Sequence, residues 1–246
     1  MEQHTELDSQ RQAIREAALN ETIIETRHRL ATFASEVFHD VGRELHVVGH
    51  LIGSDRTNGT SPFGHGDDAT VAVSMLLRIG SELVSASSDL IADGRAYAGS
   101  ALIRQLVEIE YLAWAFETKS EEAARWLRST HGERMTFFTP AKLRKAADGR
   151  FRGVDYGYHC ELGGHPVPQS WQLLGDDGGL GQLMLSDCLG HTGRIWDHVV
   201  RWAHGHPLGQ GVSSRSTEML TRFGDWKRID PLTELPPPPE AFPERW

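Results

Sequence analysis

The side chains best suited to chemistry are concentrated in one stretch, Tyr156-Gly-Tyr-His159-Cys-Glu161-Leu-Gly-Gly-His165-Pro-Val-Pro168. Two imidazoles that titrate near neutrality can take and return a proton, and Tyr156 or Glu161 can orient one of them. Gly163 and Gly164 permit backbone shapes that other residues resist, while Pro166 and Pro168 stiffen the exit. Such a segment holds its polar groups in fixed positions, either as a reaction centre or as a structural lid. A second set, Asp187, His191, Arg194 and His198, recurs at spacings of four, three and four, which is one stripe of a helix. That stripe lies beside the core face, where a bundle opens clefts or runs a polar seam.

A third set sits inside Ala101 to Phe116, ALIRQLVEIEYLAWAF, a run apolar on nearly every helical face yet carrying Arg104, Glu108 and Glu110. A helix apolar all round is a buried one, so its charges need partners. Arg104 and Glu108 are four apart and share a face, so one reading is an internal ion pair. The other is a polar spot lining a cleft. The segment from Tyr156 to His165 is the polar neighbour predicted to meet them. The candidate catalytic residues are therefore Arg104, Glu108, Tyr156, His159, His165 and His198. A single site requires Arg104, Glu108, Tyr156, His165 and His198 to converge.

Metal ligation is weighed first at His39, His46 and His50, which fall on one helical face with His46 and His50 an i, i+4 pair. That face is nearly opposite the apolar stripe and is predicted to point to solvent or to a second subunit. No Glu-x-x-His pair of the kind di-metal bundles use accompanies it. No metal and no cofactor are expected on this reading.

The elements that must carry these residues are helical. Leu30, Phe33, Val37, Val41, Leu45 and Val48 recur at three and four within a predicted long helix from about Glu6 to Leu51. A second helix, about Ala69 to Ala92, presents Val71, Met75, Ile79 and Leu83 inward and stops at Asp93-Gly94. The central helix follows. Shorter helices are predicted from Ser120 to about His131 and from Thr139-Pro140 to about Ala147. Asp148 to Gly181 is rich in glycine and reads as a long irregular Gly/Pro-rich loop. A last long helix spans about Leu183 to His204, and a short one Ser216 to Phe223. The fold class is all-α, an antiparallel four-helix-type bundle over residues 1–224. A proline-rich tail over 225–246 should be extended.

Composition narrows the function classes. With 246 residues, 39% of them hydrophobic, the chain supports one good core. A formal net charge of -9 and a pI near 5.8 argue against a broad electrostatic grip on nucleic acid or an anionic membrane. Cys160 and Cys188 form no CxxC pair and no disulfide framework, which fits a reducing, cytoplasmic setting. No run approaches the uninterrupted apolar length of a membrane span, so no membrane is expected.

An apolar central helix bearing an arginine and a glutamate, followed by a Tyr and His-Pro segment and a last long helix, resembles bacterial HEPN-like families over about Asp67 to His206. Some of these act in phage-defence or toxin systems. Their active ribonucleases carry an arginine and a histidine with four to six residues between them, close to a helix start and usually completed across a dimer. That spacing occurs here at Arg43 to His50, Arg125 to His131, Arg152 to His159 and Arg201 to His206. Gly205 and Pro207 place the last of these histidines at the helix end. The resemblance implies a nucleic-acid-linked role, a metal-independent ribonuclease with RNA as partner, and a homodimer. Two other readings come from the residues themselves. One is a non-catalytic module binding a ligand or protein; the other is a metal-dependent hydrolase using histidines with Glu108 or Glu161.

Overall fold

In the computed structural model, which describes residues 12, 14–51, 66–175 and 178–234, every regular element is helical. The chain is all-α. The first long helix, α1 (Glu21–Leu51), is preceded by a helical stretch over 14–18, and the predicted start near Glu6 lies outside the described residues. Asn20 interrupts the helical run, and its Oδ1 accepts a hydrogen bond from the Ile23 amide at 3.2 Å, a capping contact that competes with helix continuation. Asp67 caps α2 (Asp68–Ala92) in the same way, accepting from Thr70 N at 2.8 Å.

Four helices make the core: α1, α2, α3 (Ala96–Thr118) and α9 (Gly179–His204), each packed on its neighbours. Leu30, Val37, Phe38, Val41 and Leu45 of α1 are buried. On α2 the inward set differs from the predicted stripe: Ile79 is exposed, and Ala72, Leu76, Leu77 and Val84 are buried instead. The reason is that α2 is covered on several sides, by α1, α3, α9 and the short α4 (Ser120–Arg128), so a single stripe does not describe it. By length and composition alone α2 is apolar enough to cross a membrane, but 61% of its most apolar window is buried inside the bundle, as a core helix is. Gly80 lets it approach Phe38, whose ring stacks on Trp196 of α9 at 5.9 Å.

The central position of α3 is as its composition suggested. Ile103, Leu106, Val107, Ile109, Ala113 and Phe116 are buried, and α2, α4, α9 and the segments after residue 139 surround it. Between α4 and α9 come α5 (His131–Phe137), α6 (Pro140–Ala146), α7 (Gly153–His159), a π-helix (Cys160–Gly164), a 3-10 turn (Pro168–Ser170) and α8 (Trp171–Leu174). The predicted irregular loop is therefore largely helical. Its glycines disfavour a free helix, but packing against α3 supplies what propensity does not.

The C-terminal boundary also moves. In place of a short helix and a tail from residue 225, α10 runs Gln210–Ile229 and a 3-10 turn follows at Pro231–Glu234. Val212, Met219, Phe223 and Trp226 bury one face. Asp230 then closes on α1. Arg27 donates from Nε to Asp230 Oδ2 at 2.7 Å and from Nη2 to Oδ1 at 2.8 Å, and both side chains are fully buried. Gln182 and Trp226 complete the network. The prolines after Leu235 lie outside the described residues.

Candidate functional site

The site grows from the contact between α3 and α9. Glu110 of α3 is buried, and on α9 His191 and Arg194, three residues apart, both reach it. His191 Nδ1 lies 2.6 Å from Glu110 Oε2, and Arg194 Nε lies 3.0 and 3.1 Å from the two carboxylate oxygens. Burial would raise the Glu110 carboxyl, but the hydrogen bond and charge of His191 and the Arg194 guanidinium outweigh it and hold the pKa at about 2. An ionised carboxylate only accepts, so His191 Nδ1 carries the proton it shares with Glu110, and in the neutral ring Nε2 then holds the lone pair; Arg194 Nη2 also lies 2.8 Å from Nδ1.

The same arrangement recurs seven residues along both helices. His198 Nδ1 donates to Glu117 Oε2, and Arg201 Nε donates to Glu117 Oε1 at 2.6 Å. Two helical turns return each residue type to the same seam, so Glu110/Glu117, His191/His198 and Arg194/Arg201 form two Glu–His–Arg clamps.

Among the described residues, a second imidazole and a carboxylate meet the far nitrogen of the histidine in the first clamp. His191 Nε2 lies 3.2 Å from Nε2 of His159, and Asp187, one turn earlier on α9, places Oδ2 3.3 Å from His159 Nε2 and Oδ1 3.7 Å from His191 Nε2. Burial lowers the His159 pKa to about 4, Asp187 opposing it, so the ring is neutral. Asp187 Oδ2 is buried without a hydrogen-bond partner, while the side chain as a whole is 33% exposed. Solvent thus reaches this group along Asp187. Among the described residues, His159, Asp187 and His191 alone bring three metal-ligating donor atoms within 4.8 Å of one another.

His159 reaches this point because α7 and the π-helix are fixed to α3 in two places. Tyr156 OH donates to Glu108 Oε1 at 2.9 Å. A Cβ on Gly163 would lie 2.8 Å from Ala101 N and Ser100 C, and one on Gly164 would lie 2.8 Å from Arg104 Cδ. These glycines serve close approach to a neighbouring helix; neither has a positive φ. The helix widens to π geometry immediately after His159, a local device that often accompanies functional positions.

The six residues singled out from sequence do not converge. Tyr156 of α7 meets Glu108 of α3, and Gly164 packs on Arg104, as predicted, but Arg104 and Glu108 form no ion pair among the described residues, and Arg104 Nε is buried without a hydrogen-bond partner. His159 belongs to the His191 cluster. His165 is exposed; its amide donates to Cys160 O and its carbonyl accepts from Ser170 Oγ. His198 belongs to the second clamp. Glu110, Asp187, His191 and Arg194 are the residues missing from that set. The Asp187–His198 stripe was legible on α9, and the matching interval of seven between Glu110 and Glu117 was the available signal for its partner. On α1, His39 is exposed beside Asp40, and the His46 and His50 rings meet edge-on at 4.4 Å.

Compared with family models, curated proteins and solved structures, the chain gives no match in any of the three.

Proposed function

We propose that this protein is a hydrolase whose reaction centre is the His159–Asp187–His191 group. The observation that carries the reading is the orientation of His191. Its Nδ1 is held by Glu110, and its Nε2 is turned toward a second, neutral imidazole at 3.2 Å and toward a carboxylate that solvent reaches. Hydrolysis needs a water to lose a proton as its oxygen bonds to an acyl carbon or a phosphorus, and needs that proton returned to the departing group. A fixed imidazole with a free nitrogen is suited to the first task.

RNA is the first substrate class to try, on the HEPN-like resemblance. A metal-independent ribonuclease of that kind has less geometric support. Arg201 is engaged by Glu117, His206 lies 3.5 Å from Asp67 and stacks on Trp202, and Arg152 lies beside Asp155.

The test is a panel of an RNA oligonucleotide, a nitrophenyl phosphodiester, a phosphomonoester and a carboxyl ester. Each is assayed with the wild type, His191→Gln and His198→Gln. The expected result is turnover of at least one substrate, reduced by about 100-fold or more in H191Q and little changed in H198Q. Equal losses in the two variants, or no turnover of any substrate, would remove the reading.

A further inference from the structure

We infer that His159, Asp187 and His191 form a binding site for one divalent transition-metal ion of the zinc class. The first argument is a proton count. With Nδ1–H of His191 shared with Glu110, a neutral His191 ring offers only a lone pair at Nε2, and an ionised Asp187 offers only lone pairs. At most one proton, on His159 Nε2, is available to atoms that approach one another at 3.2, 3.3 and 3.7 Å. It cannot satisfy all of them, and Asp187 Oδ2 is left buried without a partner. A cation shared by the three would satisfy them together.

The second argument is metric. Zinc bound tetrahedrally at about 2.0–2.1 Å to nitrogen and oxygen places its ligand atoms roughly 3.3 Å apart, the edge of the tetrahedron. The two imidazole nitrogens, 3.2 Å apart, are close to that edge; Asp187 reaches His159 with Oδ2 at 3.3 Å and His191 with Oδ1 at 3.7 Å, so a modest turn of the carboxylate brings one oxygen to both, within a group whose ligand atoms already lie inside 4.8 Å.

The third argument is the outer partner. Histidine ligands commonly donate their remaining N–H to a carboxylate, which fixes the ring and raises its basicity. Glu110 does this for His191, and Arg194 holds Glu110 in turn. Two imidazoles and one carboxylate suit Zn2+, Co2+ or Fe2+ better than Mg2+ or Ca2+, which take mainly oxygen ligands. Three protein ligands leave a fourth position, and the exposed side of Asp187 gives it access to solvent. When bound, such an ion would take the His191 Nε2 lone pair as a ligand and would itself supply the activated water, by lowering the pKa of a water in that position, in place of His191 acting as the base.

The second clamp is the internal control. Seven residues beyond Asp187 stands Arg194, so a cation occupies the place of the carboxylate, and no described histidine of α7 faces His198.

This inference rests on the hydrolase reading for its chemistry, but its test uses the metal alone. Chelator-treated whole chain is titrated with Co2+ and followed by the visible bands of a four-coordinate site and by calorimetry. The expected result is one equivalent bound, displaced by Zn2+ but not by Mg2+. Binding should be lost in H159Q, H191Q and D187N, retained in H198Q, and weakened about ten- to a hundredfold in E110Q. D187N, at a partly exposed position, keeps the test meaningful if a buried histidine variant fails to fold. No saturable Co2+ binding, or binding unchanged in D187N and H191Q, would overturn the site. Binding without hydrolysis of any substrate would uphold it and sink the hydrolase reading. Hydrolysis by a chain that binds no Co2+ would do the reverse.

Discussion

The two Glu–His–Arg clamps share their chemistry and differ in their surroundings. In each, an α3 glutamate receives the Nδ1 proton of an α9 histidine and the Nε of an arginine three residues on. Glu110 is 5% exposed and Glu117 20%, while the two arginines are about equally open. The decisive difference is at the other end of the imidazole. His191 meets His159 and Asp187, whereas the position equivalent to Asp187 in the second clamp is Arg194. A carboxylate-held histidine is thus a way of locking two helices together. It becomes a candidate for chemistry only when a third element turns polar groups toward its second nitrogen.

The largest test of that contrast removes the carboxylates. Glu110→Ala leaves a buried histidine without its acceptor and should cost on the order of 3 kcal/mol, discounted somewhat because Arg194 is half-exposed. Glu117→Ala, at a more open position, should cost under about 1 kcal/mol. Urea denaturation midpoints decide it, and equal shifts would erase the distinction between the clamps. Next in size is Gly163→Ala. Its Cβ would press on the backbone of α3, so a cost of about 2 kcal/mol is expected, with His159 displaced from the first clamp only. Gly153→Ala, where nothing lies within 4 Å, should leave the histidine signals unchanged in an NMR spectrum that G163A perturbs.

The smallest effect is on pH dependence, and it sharpens the description of the second clamp. Burial lowers the His198 pKa below its ordinary value of 6.5, although Glu117 opposes the shift. Burial would raise Glu117, but Arg201 and His198 hold it below 4.5. Both folded-state values are depressed. The associated stability is therefore complete above the unfolded pKa of each group and is lost as pH falls through it, first below 6.5 for His198 and then below 4.5 for Glu117. Thermal midpoints should be level from pH 8 to 7 and decline below 6.5, with a shallower upper part of that decline in H198Q. An H198Q profile parallel to the wild type would show that His198 does not contribute.

Much of the architecture was legible. Period-3.6 patterning identified the helices, and the all-round apolar run Ala101 to Phe116 identified the helix that others surround. The misreadings have local causes. Glycine in Gly153–His159 and Gly163–Gly164 looked like loop punctuation, because sequence does not distinguish a glycine used for a turn from one used for close packing. The stripe Val212, Met219, Phe223 and Trp226 was visible, but the prolines beyond it drew the boundary too early. At the site, the polar stripe on α9 could be read, whereas its partner depended on which face of α3 met it. His159 joins His191 across 32 residues from a different helix, and no local spacing encodes that meeting. The i, i+4 pair His46 and His50 was conspicuous because it is local.

The buried pair between Arg27 and Asp230 has a consequence for the order in which the molecule is made. Arg27 leaves the ribosome early, yet the carboxylate that neutralises it follows 203 residues later. Until then, docking α1 fully against α9 would bury an unpaired guanidinium, so α1 stays hydrated or loosely associated while α2, α3 and α9 emerge. Nascent chains arrested before residue 230 should therefore be cut by protease within α1, and chains released just beyond it should resist. Docking of the first helix thus waits on a residue 203 positions further along the chain.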